Sequence, residues 1–264
     1  MKRTGTSAKW VWQLGLLALA VATTGCVTSQ PEADNSYAAR KAASHLATGV
    51  DHLSNGRSAL ALREFLAAEK LEPRNARVHY ALGDAYLARG KRGEAEGHLR
   101  RAIELYEDHH DARLSLSALL LTERRYEEAM VECDWLIDEP TFAEPWRALS
   151  NRAWAEFKLG RVEAARESLE LAREYRADYW PATLALAILE NEQGRRLEAV
   201  RLLRDIIALD PGPSIESEVN YRLAEIYVAL GKRRQAMGHL TASVARSPDG
   251  PWAKKSQEYL KLLH

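Results

Sequence analysis

An alanine returns along this chain at Ala61, Ala95, Ala129, Ala165, Ala199 and Ala236, at spacings of 34, 34, 36, 34 and 37 residues. A second small residue runs in phase with it: Gly49, Gly83, Ser117, Ala153, Ala187 and Ala224. Four residues beyond each alanine stands an apolar side chain: Phe65, Leu99, Cys133, Leu169, Leu203 or Leu240. Between the two small residues falls a break, Gly56, Gly90, Gly160, Gly194 or Gly231, with Arg124 in its place once. Around each break the apolar residues recur at spacings of three and four, the period of an amphipathic helix. Two helices packed antiparallel need small side chains where their axes come closest, and glycine ends a helix by taking the left-handed conformation. Each unit is therefore a helical hairpin. A hairpin of this length leaves one apolar face uncovered, so such units must stack on one another.

The units run 42–75, 76–109, 110–143, 146–179, 180–213 and 217–250. Pro73, Pro211 and Pro248 close three of them, and small insertions precede the fourth and sixth. This ladder resembles the tetratricopeptide repeat. The resemblance implies an all-α, right-handed superhelical solenoid of six repeats over 37–264. Pro251 opens a last helix, 251–264, with Trp252, Tyr259, Leu260 and Leu263 on one face; it serves as the closing cap. The insertion from Asp138 to Trp146 is stiffened by two prolines, with Phe142 and Trp146 expected to fold back onto the array. The segment from Pro211 to Glu216 reads as a plain loop.

The N-terminus has a different character. Lys2, Arg3 and Lys9 precede an apolar run from Trp10 to Ala22, then Thr23-Thr24-Gly25-Cys26. A charged start, a short apolar middle and small residues before a cut site make an export signal, and thirteen residues are too few to span a bilayer. The ending resembles a bacterial lipobox, with Thr23 where leucine is usual. Two outcomes stay open: acylation of Cys26, with 1–25 removed, or cleavage after Ala20-Val21-Ala22 with Cys26 free. A covalent lipid on Cys26 would anchor the chain stably. Val27 stands where aspartate would hold such a lipoprotein at the inner membrane, so by that resemblance the chain goes to the periplasmic face of the outer membrane. Residues 26–36, polar and without apolar periodicity, read as a tether.

Charge narrows the partners. The whole chain carries 37 basic and 37 acidic side chains; without the leader, 34 face 37. No basic stripe for nucleic acid or polybasic membrane patch results. No HExxH, phosphate loop, dinucleotide fingerprint or GxSxG elbow is present, so neither a catalytic residue nor a small-molecule substrate is expected. The pair His109-His110, between Asp108 and Asp111, has no further ligand at helical spacing, and no metal site or other cofactor is expected. Cys133 reads as a buried small hydrophobe.

In the tetratricopeptide family the first helix of each hairpin lines the concave face. Those positions hold Leu46, Val50 and Leu53; Tyr80, Asp84 and Leu87; Leu114, Ala118 and Leu121; Ser150, Trp154 and Phe157; Leu184, Ile188 and Asn191; Tyr221, Glu225 and Val228. An apolar row with tyrosine and tryptophan makes a groove for a partner's apolar segment, or else packs within the curving array. Export signal, short tether, six repeats and cap together resemble the type IV pilus pilotin lipoproteins. That resemblance implies a non-enzymatic role: delivering and assembling secretin subunits at the outer membrane. The rival readings are a lipoprotein adaptor for cell-wall enzymes or outer-membrane-protein assembly, and an unanchored periplasmic repeat adaptor.

Overall fold

The computed structural model describes residues 30–263, with side chains from Ser36 onward. The leader and Cys26 lie outside the described residues. Thirteen helices and no strand occur among those described. Twelve pair into six hairpins: α1 (Gln30–Ser54) with α2 (Ser58–Leu71), α3 (Ala76–Ala88) with α4 (Arg92–Leu105), and α5 (His110–Thr122) with α6 (Tyr126–Asp138). The second half continues with α7 (Pro145–Lys158) and α8 (Val162–Tyr175), α9 (Trp180–Glu192) and α10 (Arg196–Ala208), α11 (Pro213–Ala229) and α12 (Arg233–Arg246). The cap is α13 (Pro251–Leu263). No described helix is long and apolar enough to cross a membrane.

The ladder of small residues sets the core. All six second-helix alanines are fully buried, and the apolar residue four positions on is no more than 2% exposed in any hairpin. Size is traded across the helix pair. A methyl group on Gly49 would lie 2.3 Å from the Phe65 ring, and one on Gly83 would lie 2.8 Å from Leu99. Where the partner is the smaller Cys133, the opposing position is Ser117. Burial pushes the Cys133 thiol up to about 12, so it is held as an unreactive thiol. The turns are equally regular: Gly56, Gly90, Gly160, Gly194 and Gly231 have φ between 70 and 78°, and Arg124 takes φ 62° in the position it inherits from glycine. A side chain there costs roughly 1–2 kcal/mol of backbone strain.

Consecutive hairpins stack through α2 on α3, α4 on α5, α6 on α7, α8 on α9 and α10 on α11. First helices also touch the next first helix, α1 with α3, α3 with α5, α5 with α7 and α7 with α9. Among the described residues successive second helices do not pack backbone to backbone in this way; α4 and α6 meet through long side chains such as Arg100 and Glu128, 3.2 Å apart. An array whose first helices crowd together curves toward them, making theirs the inner face. Ion pairs tie neighbouring hairpins: Arg125 Nη1 lies 2.7 Å from Glu96, and Arg166 Nε 2.7 Å from the buried Glu190, which also pairs with Arg195.

Two stretches depart from the sequence reading. Helix α1 reaches back to Gln30, so residues 30–36, read as part of a tether, are helical; Pro31 sits in the first turn, where its missing N–H costs nothing. The stretch read as a plain loop before the sixth repeat is instead largely the start of α11. Gly212 caps it at φ 94°, Pro213 opens it, and Glu216 is buried against Arg246 at 2.7 Å. The other insertion folds back as expected: Phe142 is buried with Leu114, Leu136 and Ala148, and Trp146 packs on the C-terminal core beneath the Arg176 guanidinium.

Candidate protein-binding site at the N-terminal end of the array

The inner-face positions meet different fates along the array. At the N-terminal end, Leu46, Val50 and Leu53 of α1 face Tyr80, Ala81 and Asp84 of α3 across an open hollow of about 560 Å³. Phe65 lies at its floor, Arg77 lines one side, and Tyr106, Asp108, His109, His110 and Asp111 line the turn into α5. Val50 is 53% exposed and Tyr106 55%. Successive turns of α1 place Leu46, Val50 and Leu53 on one stripe. Among the described residues α1 packs on α2 and α3, and no other helix stacks on its outer flank.

The hollow is apolar with an acidic edge. Ser115 Oγ donates to Asp84 Oδ1 at 3.4 Å. Burial raises the Asp84 carboxyl above the ordinary aspartate range, despite hydrogen bonds that pull the other way. Burial, reinforced by the Asp84 charge, likewise raises Tyr80. The Tyr80 ring lies 5.0 Å from that of His109, whose Nδ1 accepts the Ala112 N–H at the start of α5. His110 turns away to Trp135 and Phe142. The two adjacent histidines thus have separate tasks. Such a surface suits an apolar side-chain row with a basic residue beside it, matched to Asp84, Asp108 and Asp111.

Farther along, the inner face closes. Leu114 is 5% exposed and Leu184 8%, which corrects the reading of both as groove residues. Ala148 of the next first helix and the folded-back Phe142 cover Leu114; Leu184 sits inside the C-terminal core. Leu87 and Leu121 are half-buried against the cluster around Leu99 and Leu116. Trp154 and Phe157 pack together at 5.9 Å, with the Lys158 ammonium 4.5 Å above the Trp154 ring. Ile188 packs on the core and lines a smaller hollow of about 200 Å³ with Asn191, Arg222 and Glu225. Tyr221 is covered by the cap: Trp252 lies 5.2 Å from its ring and Tyr259 6.3 Å.

The open part of the inner face therefore joins Leu46, Val50, Leu53, Tyr80 and Asp84, and leaves the remaining predicted positions apart from it. Arg77 was missed although it lies on the same face of α3 as Tyr80 and Asp84, because it falls one turn before the three positions counted per hairpin. Tyr106 and Asp108 were missed because they belong to the turn before α5, off the helix-face pattern that identified the others.

Residues 46–95, 80–133 and 150–214 match the tetratricopeptide repeat family, and 190–257 match a second form of the same repeat. The chain belongs to the tetratricopeptide repeat family. Proteins of this repeat bind other proteins more typically than they catalyse reactions. Among solved structures, this repeat protein is similar to PilW, described as a widely conserved type IV pilus biogenesis factor. The TM-score is 0.73 at 17% identity, covering 81% of this chain and 97% of PilW. Pseudomonas aeruginosa PilF is similar with a TM-score of 0.68 at 15% identity, over 85% of this chain and 99% of PilF. A chain of the APC/C hetero-tetramer Cut9–Hcn1 reaches 0.71 at 17% identity over 84% of this chain and 43% of its own. At these identities the likeness is one of fold. No curated protein sequence matches the chain.

Proposed function

We propose that this repeat protein captures an apolar segment of a partner polypeptide in the hollow between α1 and α3, and that a lipid on Cys26 holds it to the outer membrane. The hollow carries the proposal. It is the stretch of inner face where the predicted apolar positions converge and stay open, and it lies at the end of the array nearest the leader. The partner we infer is the secretin subunit of a type IV pilus, and the role that of a pilotin. The lipobox-like Gly25-Cys26 and the near-complete overlap in fold with PilW and PilF support this reading.

The mechanism is physical. Seating an aggregation-prone segment on Leu46, Val50, Leu53 and Tyr80 removes apolar surface from water on both molecules. The anchor confines the complex to one membrane, which raises the local concentration of subunits that must assemble there. No bond is made or broken.

Deleting the gene should abolish secretin multimers in the outer-membrane fraction and leave cell shape unchanged. Normal multimers with altered shape would refute the pilotin role and favour an adaptor for cell-wall enzymes. Mass and detergent partitioning of the mature protein, compared with Cys26→Ser, test the anchor: an unacylated wild-type N-terminus would refute it.

A further inference from the structure

Between the first and second hairpins, three side chains from three helices converge. His79 Nδ1 of α3 lies 3.0 Å from His98 Nδ1 of α4. Glu69 Oε1 of α2 lies 3.7 Å from the first and 4.0 Å from the second. We propose that Glu69, His79 and His98 form a binding site for a divalent transition-metal ion, Zn2+ before others, that clamps the first repeat to the second.

The protonation pattern favours a metal. A carbonyl oxygen can only accept, so the 3.0 Å contact of His79 Nε2 with Pro73 O fixes the His79 proton on Nε2. In the neutral ring Nδ1 then carries a lone pair that faces His98 Nδ1 and Glu69, where either the His98 Nδ1–H or a cation can meet it. An imidazole that donates its far N–H to a backbone carbonyl while presenting the other nitrogen is the arrangement that orients histidine ligands on metals. Ligands at tetrahedral angles around zinc lie roughly 3.3 Å apart. The three separations here bracket that value and need only small rotations to meet it. Two imidazoles and one carboxylate suit zinc and its neighbours, whereas calcium and magnesium favour all-oxygen sets. The His79 side chain is 7% exposed, but His98 and Glu69 retain 22% and 28%, which leaves an approach for the ion and a position for water. Tyr86 stacks on His98 at 5.4 Å and fixes its ring.

Comparison with other hairpins sharpens the point. The same 19-residue offset pairs His45 with Glu64 at 2.8 Å, Arg113 with Glu132 at 2.8 Å and His239 with Asn220 at 2.9 Å. Each of those pairs matches a nitrogen donor to an oxygen acceptor. The second hairpin sets imidazole against imidazole and adds a carboxylate from the preceding repeat, a set that one cation satisfies at once.

The test titrates the chelator-treated protein with zinc chloride by calorimetry, with Co2+ absorption as a spectroscopic probe and thermal melting alongside. One ion per chain should bind, raise the melting temperature, and give the visible bands of a nitrogen- and oxygen-ligated Co2+. Glu69→Gln and His98→Asn should each weaken binding roughly tenfold or more, while a His109→Asn/His110→Asn double variant binds as wild type. Absence of binding to the wild type would overturn the proposal. So would equal affinity in Glu69→Gln, a conservative change at a part-exposed position that keeps the test decisive even if His98→Asn fails to fold.

Discussion

The two ends of the array put the same repeat position to opposite uses. Tyr80 and Tyr221 both stand on the inner face of a first helix. Tyr80 borders an open hollow beside Leu46 and Val50; Tyr221 lies under Trp252 and Tyr259 of the cap. Both are aromatic, both are half-buried, and burial raises the hydroxyl pKa of each. What separates them is the neighbour. Helix α13 brings two aromatic rings to the C-terminal end, whereas the N-terminal end is flanked by α1, whose Val50 is left 53% exposed. Register within a repeat therefore decides which way a side chain faces, and the adjoining element decides whether a partner can reach it.

This contrast can be broken in graded steps. The largest effect belongs to Phe65→Ala, which empties the floor of the hollow beneath Gly49. A fully buried ring lost there costs about 3–5 kcal/mol in urea unfolding and abolishes partner capture through collapse of the site. Trp252→Ala at the other end, where the ring is only part-buried, costs about 2 kcal/mol and exposes Tyr221 to dye binding, with partner capture unchanged. Midway, Arg124→Gly relieves a left-handed arginine and stabilises by about 1 kcal/mol, with no effect at either end.

Smaller still is Asp84→Asn. Burial raises the folded-state pKa of Asp84 above its unfolded value, so the stability it contributes is complete below the unfolded pKa and is lost as pH rises through the folded one. The amide variant should therefore gain stability at neutral pH, and the gain should vanish near a pH of about 3. Matched urea titrations at the two pH values check the sign. Smallest in stability is Val50→Glu, within about 0.5 kcal/mol of wild type, yet it places a charge on the apolar wall and should prevent capture. A stable Val50→Glu protein that still binds would place the partner elsewhere.

The fold was legible because the ladder is local: an alanine, its small partner twelve residues earlier and an apolar residue four later describe one hairpin, and all six copies are buried as that logic requires. The site was legible in part. Helix-face register picked out Leu46, Val50, Leu53, Tyr80 and Asp84, but Leu114 is closed by Phe142 and Ala148 from beyond its hairpin and Leu184 is buried in a core shared by several hairpins, which no hairpin encodes alone. Tyr106 lies at a turn, outside any helical stripe, and Arg77 sits in the first turn of α3, one turn ahead of the positions the repeat pattern counts. The Glu69–His79–His98 cluster joins residues from two repeats. Its one trace in the sequence is the 19-residue offset it shares with His45–Glu64 and Asn220–His239, a pairing visible only once the hairpin register is known.

The central claim is that the working surface lies at the open N-terminal end. A photoreactive residue placed in cells at position 50, 188 or 221 in separate strains tests it most directly. The account predicts a covalent adduct with a partner polypeptide from position 50 and none from position 221. Adducts from 188 or 221 with none from 50 would contradict it.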